Sequence, residues 1–198
     1  RVKRNINWKL KNFEFSNMFC YGEDNYVDFT QLEGIVGMFA PNASGKSTLL
    51  DALSFCLFDI TSRTNKAASV LNNKKKSFNC KVNFEVAGLD YFIERKATTR
   101  SRDGHVKVEV NFWMVDDGGD VISLNGDQRR TTNYNINRVI GTYDDFILST
   151  LSTQNNFTVF IDKTQKERKE LLATFMGTDI FDTLYQSAND KISETQTL

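Results

Sequence analysis

Apolar and polar positions alternate through much of the chain before Thr131, and that alternation predicts strands. Trp8-Lys9-Leu10-Lys11-Asn12-Phe13 reads as a half-buried strand. Tyr26-Val27-Asp28-Phe29 reads as a second, after a turn at Gly22-Glu23-Asp24-Asn25. Ile35-Val36-Gly37-Met38-Phe39 is a continuous apolar run, which predicts a central strand buried on both faces. From Lys46 to Phe58 the period becomes helical, with Leu49, Leu50, Leu53, Cys56 and Leu57 on one face. Ala52, Phe55 and Phe58 widen that face, so this helix should be covered on several sides.

The period of two then returns. Cys80, Val82, Phe84 and Val86 alternate with Lys81, Asn83 and Glu85; Ala87-Gly88 turns the chain, and Asp90 to Lys96 comes back as a strand. Val106, Val108, Val110, Phe112 and Met114 alternate with Lys107, Glu109, Asn111 and Trp113, the clearest strand signal present. Asp116-Asp117-Gly118-Gly119 is a turn, Val121 to Leu124 continues the meander, and Asn125-Gly126 turns again. Ile136, Val139 and Ile140 fit a short helix stopped by Gly141. Leu148 to Thr153 is β-prone and ends at Gln154. Thr164 to Met176 is an amphipathic helix with Leu171, Leu172, Phe175 and Met176 as its stripe, interrupted by Gly177. Asp179 opens a further helix, in which Tyr185, Ala188, Ile192 and Thr195 fit a short coiled-coil seam. No cap ends that helix, so it is expected to continue past Leu198; the chain likewise opens at Arg1 rather than at a Met.

The composition, 40% hydrophobic and 25% charged, is that of a folded globular chain. Lys plus Arg is 25 and Asp plus Glu is 25, so net charge steers nothing globally, and only a local basic groove is left for nucleic acid. Lys74-Lys75-Lys76, Arg95-Lys96, Arg100, Arg102 and Lys107 supply such a cluster in the meander. No apolar run approaches the ~18 residues of a membrane span, and no signal-peptide pattern is present. Cys20, Cys56 and Cys80 are dispersed, which argues for buried thiols in a reducing compartment rather than a disulfide framework. His105 has no Cys or His neighbour at metal-ligand spacing.

Chemistry concentrates between Ala40 and Ser47. The stretch Ala40-Pro41-Asn42-Ala43-Ser44-Gly45-Lys46-Ser47 fits the phosphate-loop pattern G-x-x-x-x-G-K-[ST], with Ala40 in the first Gly position. Backbone N–H groups at the start of the following helix favour an anion, and Lys46 adds a point charge for the β- and γ-phosphates. Ser47 offers a hard oxygen to Mg²⁺, and Gly45 allows close backbone approach. A nucleotide with Mg²⁺ is therefore the expected ligand, and the loop alone does not choose among kinases, GTPases, AAA-type and ABC-type ATPases. A GTPase base-reading N-K-x-D motif is absent. Val110 to Asp117 superficially resembles a strand delivering hydrolytic carboxylates, but its strict alternation leaves one face wet and the Gly pair makes Asp116-Asp117 a turn. The hydrolytic carboxylate is thus expected from outside this sequence.

Leu10-Lys11-Asn12-Phe13, Tyr26-Val27-Asp28-Phe29 and Pro41 to Leu53, together with Tyr91-Phe92-Ile93-Glu94-Arg95, Ser152-Thr153-Gln154 and Lys166-Glu167-Arg168-Lys169, resemble SMC-class ABC ATPase heads. Within that class the chain looks like the N-terminal lobe of the SbcC-like DNA double-strand-break repair ATPases, including phage recombination-endonuclease large subunits. The resemblance implies an α/β fold: a P-loop ABC-type N-terminal lobe, a mixed sheet with an antiparallel β-meander, and helices leading into a coiled coil. It implies a lobe over residues 1–160 with P-loop and Q-loop, and a helical segment beginning the coiled coil over 161–198. Gln154 falls at the Q-loop position, where it would complete Mg²⁺ coordination beside Ser47 and act with Lys46 in catalysis. Pro41, Asn42, Ala43, Ser44, Gly45, Lys46, Ser47 and Thr48 would hold the nucleotide, with Arg63 a phosphate-side arginine.

The resemblance further implies partners. These are a C-terminal lobe of the same protein, a second head in an ATP-dependent homodimer, an SbcD-like metallo-nuclease, and double-stranded DNA bound without sequence preference, with no membrane. Ile180, Phe181, Leu184 and Tyr185 would form the partner surface of the helix leaving the head. The location implied is the cytoplasm of a prokaryotic or phage-infected cell, or the nucleus in a eukaryote. Two other roles share these motifs: an SMC-like ATPase in anti-phage defence or chromosome organisation, and a nucleotide-binding scaffold. For all three, Lys46→Ala should remove measurable ATP binding in a fluorescent-nucleotide titration, because a charge-assisted phosphate contact is lost from a half-site. Unchanged affinity would take the loop out of the phosphate site.

Overall fold

The computed structural model describes residues 7–64, 66–99, 106–149 and 163–175, together with Phe181, Leu184, Tyr185, Ala188 and Asn189. The alternating segments become β1 (Trp8–Ser16), β2 (Asn25–Asp28), β3 (Ser77–Val86), β4 (Leu89–Thr99), β5 (Val106–Val115) and β6 (Val121–Ser123). They form a six-stranded sheet in the order β2-β1-β3-β4-β5-β6. Every pairing is antiparallel. The β3–β4 hairpin closes through Ala87 and Gly88, at φ 51 and 87, the left-handed pair that a two-residue hairpin turn demands. The helices are α1 (Lys46–Phe58), α2 (Ala67–Val70), α3 (Arg129–Ile140), α4 (Tyr143–Ser149) and α5 (Gln165–Phe175). No described helix is long and apolar enough to cross a membrane.

The core lies between one face of the sheet and α1. Phe13, Phe15, Phe78, Cys80, Val82, Phe84, Ile93, Ala97, Val108 and Phe112 are buried from the sheet side. All residues of α1 from Asp51 to Phe58 are buried, so this half of the helix is covered all round, as its wide apolar surface predicts. Burying one Phe-sized side chain contributes about 1.5–3 kcal/mol, so the aromatic cluster fixes where α1 lies on the sheet. The chain divides into two compact units, Arg1–Asp144 and Asp145–Leu198; the first holds the sheet, α1, α2 and α3, and the second holds α5. In the second unit, Thr164 caps α5 reciprocally with Glu167, whose carboxylate accepts from the Thr164 N–H at 2.8 Å and hydroxyl at 2.7 Å.

One buried cation pins the end of α1. Arg95, on β4, is fully buried. Its Nε donates to the Cys56 carbonyl at 2.7 Å and one terminal nitrogen to the Leu57 carbonyl at 3.2 Å. The other terminal nitrogen donates to Asn133 Oδ1 at 2.9 Å and lies 3.7 Å from the Asp59 carboxylate. Those carbonyls belong to the last turn of α1, which has no intrahelical donors for them. Asp59, left-handed at φ 65, ends the helix and receives a two-pronged contact from Arg129 on α3. Arg95 therefore joins sheet, α1 and α3.

Of the three cysteines expected to be buried, Cys56 and Cys80 are, while Cys20 is exposed. Three expectations about the elements also change. Ile35 to Phe39 is not a strand in this sheet: it has no ladder partner among the described residues, and Ile35 and Phe39 are 103% and 95% exposed. Burial on both faces needs a neighbour on either side, and the sheet's edges are β2 and β6, neither paired with this run. The described sheet is purely antiparallel rather than mixed, as every pairing in it is antiparallel. Leu148 and Ser149 are helical in α4 rather than β-prone, while residues 150–162 and so Gln154 lie outside the described residues. Phe181, Leu184, Tyr185 and Ala188 are helical as expected, while Ile180 and Ile192 lie outside the description. Arg95→Met should lower unfolding free energy by about 3 kcal/mol in urea denaturation, the scale of breaking a buried charge network. A loss under about 1 kcal/mol would show that the pin contributes little.

Candidate nucleotide site

The loop from Ala40 to Gly45 ends where α1 begins. Pro41, Asn42, Ala43 and Ser44 are exposed, and Gly45 and Lys46 are half-buried. Ser44 N–H donates to the Pro41 carbonyl at 3.3 Å, closing the loop as a turn. Ala43 sits at φ 62, a left-handed conformation that costs a residue with a Cβ about 1–2 kcal/mol. Ala40 keeps a negative φ, so alanine in the first Gly position is not strained. Gly45 is at φ 98, and a Cβ there would come within 2.8 Å of Cys20 Sγ. Glycine is therefore required at this joint on two counts.

Gly45 caps α1 without any side-chain capping bond, and the first turn carries no acidic residue. The N–H groups of Lys46, Ser47 and Thr48 thus point out of the positive end of the helix with no competing carboxylate. Lys46 Nζ lies 2.5 Å from the Ala40 carbonyl and 2.8 Å from that of Pro41, which places the ammonium within the loop. Ser47 is exposed in the first turn. This combination of uncapped N–H groups, one ammonium and one hydroxyl oxygen suits a polyphosphate with a hard cation.

Arg63 reaches the flank of the same helix. Its Nε is 3.0 Å from Asp51 Oδ2, with Arg63 half exposed and Asp51 buried. Asp51 Oδ1 accepts from the Ser62 N–H at 3.1 Å and hydroxyl at 2.7 Å, so the Ser62-Arg63 loop is tied to α1 just past Ser47. Tyr143 lies within reach of the Asp51 charge: burial, then Asp51 and Asp144, push its phenol up to about 12. Its hydroxyl is buried with no partner among the described residues. The structure thus brings Pro41 to Thr48 and Arg63 to one helix.

Two residues here were not singled out by the sequence. Asp51 had a legible signal, a lone carboxylate inside an otherwise apolar helical run. Tyr21 had none: its hydroxyl donates to the Gly45 carbonyl at 3.0 Å from a turn 24 positions earlier. The hydrolytic carboxylate look-alike resolves as expected. Asp116 Oδ1 accepts from Gly118 and Asp120 N–H, each at 2.9 Å, so this carboxylate closes its own hairpin turn.

Comparison with known proteins agrees with these features. The family model described as AAA domain matches residues 13–198. An uncharacterized protein of Acanthamoeba polyphaga mimivirus is 35% identical over 193 residues, covering 94% of this chain and 14% of its own length. The SbcC component of the SbcCD nuclease of Clostridium acetobutylicum is 28% identical over 154 residues, covering 76% of this chain and 13% of its own length. This chain therefore spans about a seventh of the curated relatives it matches. The Smc head domain of Pyrococcus yayanosii, solved with a coiled coil and joint, has the same fold at a TM-score of 0.64 and 17% identity, over 95% of this chain and 36% of that one. The chain belongs to the AAA-domain family and, within it, is the N-terminal lobe of an SMC- and SbcC-like ABC ATPase head.

Proposed function

We propose that the chain is the N-terminal half of an ATP-hydrolysing head that acts with a metallo-nuclease on DNA ends. The observation that carries the nucleotide part is the uncapped start of α1 with Lys46 Nζ inside the loop. The N–H groups of Lys46, Ser47 and Thr48 would receive the phosphates, and Lys46 would offset their charge. Pro41, Asn42, Ala43, Ser44 and Gly45 shape the cradle. Ser47 Oγ and Gln154 would hold Mg²⁺, and Arg63 would meet the phosphates from its seat beside Asp51. Bound Mg²⁺ would supply charge neutralisation at the phosphate oxygens. Residues 1–160 form the lobe in this reading, and 161–198 lead into the coiled coil.

The missing partners have surfaces that suit them. The exposed run Ile35 to Phe39 has the composition of a central strand and fits strands of a C-terminal lobe. Phe181, Leu184 and Tyr185, 67%, 59% and 69% exposed, suit the returning coiled-coil strand or an SbcD-like nuclease. The nuclease rests on the similarity to the SbcCD nuclease component of Clostridium, and ATP-dependent pairing with a second head rests on the family. Similarity to an Smc head favours the second reading, an SMC-like ATPase of another role. Co-purification of the full-length protein with an SbcD-like nuclease separates the two.

We infer a DNA face other than the basic cluster read in the sequence, of which Lys74 and Lys76 are exposed and the rest is largely committed elsewhere. Arg95 is buried and committed to α1. Lys96 pairs with Glu94 at 2.9 Å, Lys107 with Glu109 at 2.7 Å and Lys75 with Glu23 at 2.5 Å, while Arg100 and Arg102 lie outside the described residues. On α3, by contrast, Arg130, Tyr134 and Arg138 are exposed at i, i+4 and i+8, and the helix contains no acidic residue. That stripe suits sequence-independent contact with a phosphate backbone. In the full-length protein, Arg130→Ala with Arg138→Ala should weaken DNA binding about tenfold and flatten its salt dependence; an unchanged salt slope would place the groove elsewhere.

Hydrolysis needs a carboxylate to orient water and donors beyond the γ-phosphate, which in this reading come from the C-terminal lobe and a second head. Residues 1–198 alone should therefore bind ATP with near-background turnover, rising by orders of magnitude when a C-terminal lobe is supplied. Gln154→Ala should then slow turnover more than it weakens binding. Robust hydrolysis by this chain alone, abolished by Asp117→Asn, would mean a self-contained enzyme instead.

A further inference from the structure

We propose that the turn between β1 and β2 is a brace for the phosphate loop, with Tyr21 as the positioning residue that fixes the Gly45–Lys46 peptide. The proposal rests on the nucleotide reading above and names a part that the loop motif does not contain.

The turn is strained and held. Asn17, Phe19 and Asp24 have φ of 60, 51 and 56. Asn and Asp tolerate the left-handed region, but an aromatic residue there is an outlier that the surroundings must enforce. They do so from the end of α2 and the residues just after it. Phe19 N–H donates to the Val70 carbonyl at 2.6 Å, and Asn72 N–H to the Asn17 carbonyl at 3.0 Å. Asn72 Nδ2 donates to the Tyr21 carbonyl at 3.0 Å, and Met18 bridges Leu71. Strain maintained this way points to a task for the turn.

What the turn delivers is Tyr21. Its ring stands edge-on to Phe15 at 5.0 Å, and its hydroxyl donates to the Gly45 carbonyl at 3.0 Å. Burial, and secondarily Cys20, raise the phenol's pKa, so the donor proton stays in place at neutral pH. The same carbonyl accepts the Leu49 N–H at 3.0 Å, the first bond of α1. Two donors from different directions thus fix one peptide plane. In a trans peptide the C=O and the next N–H point oppositely, so fixing the Gly45 carbonyl fixes the Lys46 N–H. That N–H leaves the end of α1 where the phosphates would sit. Gly45, without a Cβ, is otherwise the softest joint of the loop. Its rotation is limited by Tyr21 and Cys20 Sγ, which together crowd the side where a Cβ would stand. A donor aimed before the ligand arrives costs no reorganisation on binding.

The test uses this chain and ATP. Tyr21→Phe keeps the ring on Phe15 and removes only the hydroxyl. It should weaken ATP binding in a fluorescent-nucleotide titration about three- to tenfold, the scale of one hydrogen bond. The Lys46 amide should also exchange faster with solvent, with β3 to β5 amides unchanged. Asn72→Ala, which frees the turn without touching the loop, should weaken binding in the same direction. The double variant should be no weaker than the weaker single one, because both act through one peptide. A purely structural Tyr21 would lower the melting temperature while leaving ATP affinity and Lys46 exchange as in the wild type, and that result overturns the brace. Full additivity of the two losses also overturns it. If the wild type binds no ATP, the nucleotide reading falls and the brace with it. If Lys46→Ala abolishes binding while Tyr21→Phe leaves it intact, the reading stands and the brace alone is lost.

Discussion

The placement of α1 on the sheet is the constraint on which the rest depends. A phosphate loop works only if its helix N-terminus is fixed, and a helix end is fixed only if the body of the helix is. Here the burial of Asp51 to Phe58 supplies the grip, and Arg95 supplies the direction. An apolar helix on an aromatic sheet face can slide or roll at modest cost, since hydrophobic contact is non-directional. A guanidinium bonded to two consecutive carbonyls of the last turn cannot follow such a slide without leaving a buried charge unpaired. Asp59 and Arg129 extend the same restraint to α3. The axis of α1 is thereby held at its far end, and the loop at its near end inherits that position.

The near end has its own restraints, one from the segment that follows α1 and one from the turn between β1 and β2. Asp51 ties down the loop bearing Arg63, and Tyr21 touches Gly45. A buried carboxylate in the middle of an apolar helix is costly unless satisfied, and Asp51 is satisfied three times by Ser62 and Arg63. That arrangement converts a cost into a fixed spacing between helix and loop. It also gives Arg63 a defined starting point rather than a free surface position.

How much of this was legible follows from which signals are local. The strands β3 to β6 and the bounds of α1 were legible because period and turn residues are local properties, and the Ala87-Gly88 turn needs only two residues. The phosphate loop was legible because its chemistry is contiguous. The turn at Asp116-Asp117 was legible, because the Gly118-Gly119 pair follows it and alternation along β5 marks one face as wet. Arg95 was misread as a surface cation because its partners are backbone carbonyls of α1, 38 and 39 positions away, which leave no mark in sequence. Tyr21 was invisible for the same reason. Leu148 and Ser149 looked β-prone by composition, yet took the helical state once α4 had begun at Tyr143.

Ile35 to Phe39 is the informative disagreement. Its composition is that of a strand covered on both faces, and its exposure is nearly complete at Ile35 and Phe39. Local pattern and observed environment rarely conflict so openly in a folded chain, because a sequence that specifies its structure is consistent across levels. The conflict disappears if the run is written for neighbours that the described sheet does not contain. The run leads directly into the phosphate loop, so whatever pairs with it would also set the approach angle of Pro41 and Asn42. In the split-head reading, completion of this strand and completion of the catalytic site are then one event. A lobe able to bind phosphates without hydrolysing them would gain a buried sheet and a water-orienting carboxylate from the same partner.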